Sequence, residues 1–75
     1  MTNAAIAKEL LAEARRLSAK QENLYRVKAY RRAATVVQGL DRSVAEMDER
    51  ELQVIPGIGR SLAHHIAELS RLVLH

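Results

Sequence analysis

The stretch Leu52-Gln-Val-Ile-Pro-Gly-Ile-Gly-Arg-Ser-Leu-Ala63 limits the fold of this chain more than any other. Pro56 has no backbone N–H and biases Ile55 away from helix, so one helix is expected to end there. Gly57 and Gly59 permit backbone conformations that a Cβ disfavours, and they leave room for a second chain to come close. Ile58 between them is apolar and is predicted to point inward as the anchor of the turn. A new helix is expected after Gly59, and its first amides have no acceptor inside the helix. The positive end of the helix dipole faces the same corner, so the turn is a small backbone anion site that suits a phosphate. A tight helix–helix connection that binds nothing is the alternative.

The frame around the glycines sharpens this. Val54, Ile55, Ile58, Leu62, Ala63 and Ile66 give the pattern apolar-Pro-Gly-apolar-Gly-x-x-apolar-Ala-x-x-apolar. It closely resembles the helix-hairpin-helix motif, a sequence-nonspecific binder of the DNA backbone. Ala63 fits as the small residue that lets two helices pack closely.

Seventy-five residues suffice for one small domain, residues 1–75. With 48% hydrophobic but only 3% aromatic residues, the core must be built from Leu, Ile, Val and Ala, which suits packed helices. There is no cysteine, which excludes disulfides and thiolate metal sites. No apolar run is long enough to span a membrane. The first residues lack the basic start and apolar stretch of a secretory signal, so a cytoplasmic protein is expected. A net charge of +3 favours a polyanionic partner without naming one.

In chain order the pattern is helical throughout. Thr2 or Asn3 can cap a first helix, whose apolar stripe is Ile6, Leu10, Ala14 and Leu17, widened by Ala7 and Leu11. Ser18-Ala-Lys-Gln-Glu-Asn23 is predicted to connect it to a second helix capped by Asn23. There Leu24, Val27, Tyr30, Ala33, Ala34 and Val37 share one broad side. Lys28, Arg31, Arg32 and Thr35 are expected on the other, away from Arg26 and Tyr30, as a basic strip or an ordinary solvated face. Arg26 lies on the apolar side one turn before Tyr30, where it either snorkels or meets a phosphate at the hairpin. Gly39 is placed to end this helix. Ser43 with Glu46, and Asp48 with Glu51, are capping-box patterns. They predict one turn at Val44–Met47 and a short helix from Glu49 to Gln53. Asp41, Glu46, Asp48, Glu49 and Glu51 make this region acidic, so it is expected to lie away from a DNA-binding face. The last helix is predicted from Arg60 to Leu72, with Leu62, Ile66, Leu69 and Val73 inward and Arg60, His64 and Arg71 outward.

Leu24-Tyr-Arg-Val-Lys-Ala-Tyr-Arg-Arg-Ala-Ala34, followed about twenty residues later by Ile55-Pro-Gly-Ile-Gly59 and Ala63, resembles the N-terminal helix-hairpin-helix domain of family X DNA polymerases, the DNA polymerase beta type. The resemblance covers nearly the whole chain. It implies an all-α, compact four-helix fold and binding to gapped or nicked DNA. It also implies a monovalent cation, K+ or Na+, on the backbone carbonyls of Gln53, Ile55 and Ile58, and a phosphate on the amides at Gly57 and Gly59. Arg26 and Tyr30 take positions that in the family help form a pocket for a 5′-phosphate. Many members are also deoxyribose-phosphate lyases through a lysine that stands two residues after the counterpart of Ala63. That position is His65 here, and a second family lysine is replaced by Ser61. An imine requires a primary amine. The only lysines are Lys8, Lys20 and Lys28, so no family-type lyase activity is expected.

His64 and His65 do not form a metal pair, because helix neighbours point about 100° apart and no third ligand stands out. Two function classes remain. In one the chain is a DNA-backbone module that requires no cofactor. Its contacts would be Gly57, Ile58, Gly59, Arg60 and Ser61 at the hairpin, with Arg26, Tyr30, His65, Lys28, Arg31 and Arg32 beside it. In the other it is a protein-interaction or dimerisation module that uses the C-terminal helix and the apolar tail Leu72-Val-Leu74. A lyase that uses Lys28 is a third, weaker alternative.

Overall fold

The computed structural model describes residues 2–21 and 23–73. Four α-helices follow one another: α1 (Asn3–Ala19), α2 (Leu24–Gln38), α3 (Glu49–Val54) and α4 (Arg60–Val73), with a single 3-10 turn at Val44–Glu46 between α2 and α3. No strand occurs among the described residues, so the fold is all-α.

Thr2 caps α1, its Oγ1 accepting from the amide of Ala5 at 3.1 Å. The stripe Ile6, Ala7, Leu10, Ala14 and Leu17 is buried. It packs on α2, where Val27, Tyr30, Ala33, Ala34 and Val37 form the opposing face. Removing these apolar side chains from water supplies most of the stability of such a pair. α1 runs on to Ala19, so the connection is shorter than its composition suggests, and Gln21 turns the chain with a left-handed φ of 54°. The Asn23 side chain then accepts from the amide of Arg26 at 3.3 Å and starts α2. Leu24, expected in the core, is 68% exposed. It occupies the first position of α2, and burial begins only at Val27.

Gly39 caps the C-terminus of α2 with its N–H shared between the carbonyls of Thr35 and Val36. Of the two expected capping boxes only one forms. Asp48 accepts from the Glu51 amide at 2.8 Å, and Glu51 accepts from the Asp48 amide at 3.1 Å. Ser43 makes no side-chain cap, because residues 44–46 form a single 3-10 turn rather than an α-helix. Val54, part of the apolar frame of the motif, is 81% exposed. The six-residue α3 is so short that Leu52 alone fills its inward position.

α4 closes the core with Leu62, Ala63 and Ile66, and Leu69 is half-buried against it. Leu72 is exposed. The side chain of Val73, and Leu74, lie outside the described residues.

Asn3 does not cap α1. Its amide reaches across the fold, donating to the carbonyl of Arg42 at 2.7 Å and to that of Leu40 at 3.5 Å, and accepting from the Val44 amide at 2.9 Å. One side chain thus ties the start of α1 to the segment that leads into α3. Substituting Asn3→Ala leaves these backbone groups unpaired and is expected to cost about 1–3 kcal/mol. Urea unfolding would measure it, and a loss below about 0.5 kcal/mol, the level of an ordinary surface change, would contradict the role given to Asn3.

Candidate functional site

The corner between α3 and α4 is built almost entirely from backbone. Ile55 ends α3 by donating its N–H to the carbonyl of Leu52 at 3.1 Å. The Ile58 amide turns back onto the Ile55 carbonyl at 3.0 Å, and Ala63 opens the α4 ladder by donating to Gly59 at 2.9 Å. Ile58 is 2% exposed and pins the turn to the core. The amides of Gly57 and Gly59 make no hydrogen bond among the described residues. Those of Arg60 and Ser61 lie in the first turn of α4, where no intrahelical acceptor exists. The phosphate contact expected at Ile58 is therefore corrected. Its amide is already used and its side chain is interior.

The two glycines have different reasons to be glycine. Gly57 has a φ of 95°, and a Cβ there would stand 3.1 Å from Cγ2 of Val36 and 3.4 Å from Nε of Arg32. Gly59 has no neighbour within 4 Å of its would-be Cβ. The first is required by the fold, whereas the second leaves an open stretch of backbone.

That backbone faces a groove of about 660 Å³. One bank is residues 53–62. The other is α2, through Tyr25, Arg26, Lys28, Ala29, Tyr30 and Arg32. Tyr25, Lys28, Ala29 and Arg32 are spaced i, i+3, i+4, i+7 and form a single helical stripe. Val36, four residues on, continues it into the contact with Gly57. Lys28 and Arg32 thus share the groove with Arg26 and Tyr30, contrary to the expectation that they point away. Arg31 is not on the groove wall. It stays on the solvent face with Thr35, whose hydroxyl donates to the Arg31 carbonyl at 3.2 Å. The basic strip is split because the helix has three faces: core, hairpin and solvent. Ala29 and Val36, small or apolar among polar neighbours, were the signal for the middle one.

Arg26, Lys28, Arg32 and Arg60 bring four cations to the groove, and among the described residues no carboxylate lines it. None of the four is in an ion pair among the described residues. The acidic side chains of Asp41, Glu49, Glu51 and Glu68 lie off the groove wall. Glu51 pairs with Arg42 at 3.2 Å beside a separate cleft that Asp41 also lines. Glu49 meets His64 at 3.0 Å, and Glu68 lies 3.8 Å from the other ring nitrogen. His64 therefore bridges α3 and α4. Among the described residues no three His, Asp or Glu side chains converge as a metal site.

Tyr30 is the hub of the inner wall. Its ring is buried, and its hydroxyl lies 2.9 Å from Nδ1 of His65. The two rings meet edge to face with centroids 5.5 Å apart. The guanidinium of the exposed Arg26 sits 5.8 Å from the centre of the Tyr30 ring, within cation–π range. His65, expected among the phosphate contacts, lies off the groove wall. One of its ring nitrogens is taken by Tyr30, because α4 turns that position toward α2. Arg60 and Ser61 line the groove.

Two short helices joined by a Pro-Gly-Ile-Gly turn, with free amides facing a cationic groove, define a helix-hairpin-helix domain. Residues 1–71 match the helix-hairpin-helix domain family, and the chain belongs to it. Within that family it is of the kind found at the N-terminus of DNA polymerase beta-like proteins, and such domains are generally DNA-binding modules. No curated protein and no solved structure matches the chain. Among the described residues no helix is long and apolar enough to cross a membrane.

The two glycines yield opposite expectations for stability. Gly57→Ala combines left-handed backbone with a contact on α2 and should destabilise by about 1–3 kcal/mol. Gly59→Ala should stay within about 0.5 kcal/mol of the parent. Thermal and urea unfolding of the pair would check this, and equal losses would contradict the distinction.

Proposed function

We propose that this domain binds the DNA backbone without base specificity, at gapped, nicked or 5′-phosphorylated sites, and has no lyase activity of the family type. The observation that carries this is the pair of amides at Gly57 and Gly59, unused among the described residues, in the wall of a groove with four cations and no acid among those residues. A phosphate placed there accepts from the hairpin amides in the positive field of the α4 N-terminus. Gly59 lets the sugar-phosphate strand reach the backbone itself. Arg26, held over Tyr30, is suited to a terminal 5′-phosphate, and Lys28 and Arg60 add charge along the strand. None of these groups reads a base edge, and phosphate contacts fix position without fixing sequence.

A K+ or Na+ ion on the carbonyls of Gln53, Ile55 and Ile58 is part of the proposal. The residues present fit it. The Ile55 oxygen accepts one hydrogen bond, from Ile58, which leaves a lone pair for a hard cation. Such an ion would add positive charge beside the phosphate.

A second reading has one observation in its favour. Lys28 lines the same groove as Arg26 and Tyr30, so a primary amine is within the proposed DNA site. Borohydride treatment with an abasic-site oligonucleotide separates the two. The DNA-binding reading expects no covalent adduct. An adduct that disappears in Lys28→Ala, together with strand scission without borohydride that the same substitution abolishes, would establish a lyase that uses Lys28.

With about three phosphates neutralised, log affinity should fall with log salt at a slope of about −2.7, and the dissociation constant at physiological salt should be about 10⁻⁴ to 10⁻⁶ M. Fluorescence anisotropy with a gapped, 5′-phosphorylated duplex measures both. Gly59→Ala should keep the fold but weaken binding. A flat salt dependence would contradict the function.

A further inference from the structure

Gly57 lies under α2, and the groove atoms closest to it belong to Arg32. A Cβ on Gly57 would meet Nε of Arg32 at 3.4 Å and its Cγ at 3.7 Å. The arginine stem therefore lies along the hairpin backbone, with the root of the guanidinium next to the turn. Among the described residues Arg32 has no acidic partner and no carboxylate lines the groove. Among the described residues its N–H donors have no salt-bridge partner, beside two backbone amides that make no backbone hydrogen bond. Arg31, with the same charge one position earlier, lies off the groove wall.

We propose that Arg32 is the side-chain half of the hairpin's phosphate site. The amides of Gly57 and Gly59 take one oxygen of the phosphate, and the Arg32 guanidinium takes another. This rests on the DNA-backbone reading and adds to it a residue that the turn motif does not contain. The guanidinium presents several donors in a fixed plane to that second phosphate oxygen, whereas an ammonium is a compact point charge. Packing of the stem on Gly57 removes rotamer freedom before the ligand arrives, so less is lost on binding. Gly57 thereby has a second purpose. Any side chain there would push Arg32 off the turn as well as strain the backbone. The contact also links α2 to the hairpin, so a phosphate bound by both holds the two banks of the groove together.

The test compares Arg32→Met, Arg32→Lys and Arg31→Met, using anisotropy with the same gapped, 5′-phosphorylated duplex over a range of salt. Arg32→Met keeps the stem and loses the charge. It should weaken binding roughly tenfold at low salt and make the log–log slope less negative by about 0.9. Arg31→Met should leave the slope unchanged. Arg32→Lys should restore the slope and only part of the affinity. Free-protein amide shifts of Gly57 and Gly59 that match the parent would show that the hairpin of Arg32→Met is intact. Equal losses in Arg31→Met and Arg32→Met, or an unchanged slope in Arg32→Met, would overturn the proposal while leaving the DNA reading in place. Failure of the unsubstituted protein to bind the duplex would remove the DNA reading and the proposal with it.

Discussion

The seat of the hairpin on α2 is the contact on which the rest of the structure depends. At Gly57 the backbone passes so close to Val36 that a Cβ would stand 3.1 Å from its methyl group, and it does so with a φ of 95°. A residue with a side chain cannot satisfy both conditions without strain. From this point Ile58 drops into the core and α4 follows with Leu62, Ala63 and Ile66. α2 therefore works on two sides at once. Its core face holds α1, and its adjacent stripe forms one bank of the groove.

The second organising feature is the separation of charge. Carboxylates near the hairpin helices are engaged with Arg42, His64 or Arg71, all off the groove wall. The four groove cations have no such partner among the described residues. Like charges gathered without counter-charges repel one another and disfavour the compact state, more so at low salt. The fold gains nothing from that arrangement, whereas a polyanion does. The network Arg26–Tyr30–His65 fits the same picture. It spends one ring nitrogen of His65 on holding Tyr30 in place.

Much of this was legible in the sequence because it rests on local chemistry. Pro56, Gly57 and Gly59 fix the turn through φ restriction and missing side chains. The 3.6-residue period reveals the core stripes of α1 and α2. Asp48 with Glu51 marks the start of α3 through a reciprocal hydrogen bond. The errors come from contacts distant in sequence. Lys28 reads as solvent-facing until α3 and α4 stand beside α2. Val54 belongs to the apolar frame of the motif, but α3 is too short to bury it. Asn3 resembles a cap, and only the folded chain brings the carbonyl of Arg42 to within 2.7 Å of its amide. Arg31 and Arg32 are indistinguishable as letters, and the position of Gly57 makes them different.

The most direct test of the central claim, that the hairpin backbone and the α2 side chains form one phosphate site, is amide chemical-shift mapping during titration with a gapped duplex bearing a 5′-phosphate. The account predicts that Gly57, Gly59, Arg26 and Tyr30 shift together along one binding curve, while Arg31 and the acidic segment around Asp48 stay still. Shifts centred on Leu72 and the end of α4, with the two glycines unmoved, would contradict it.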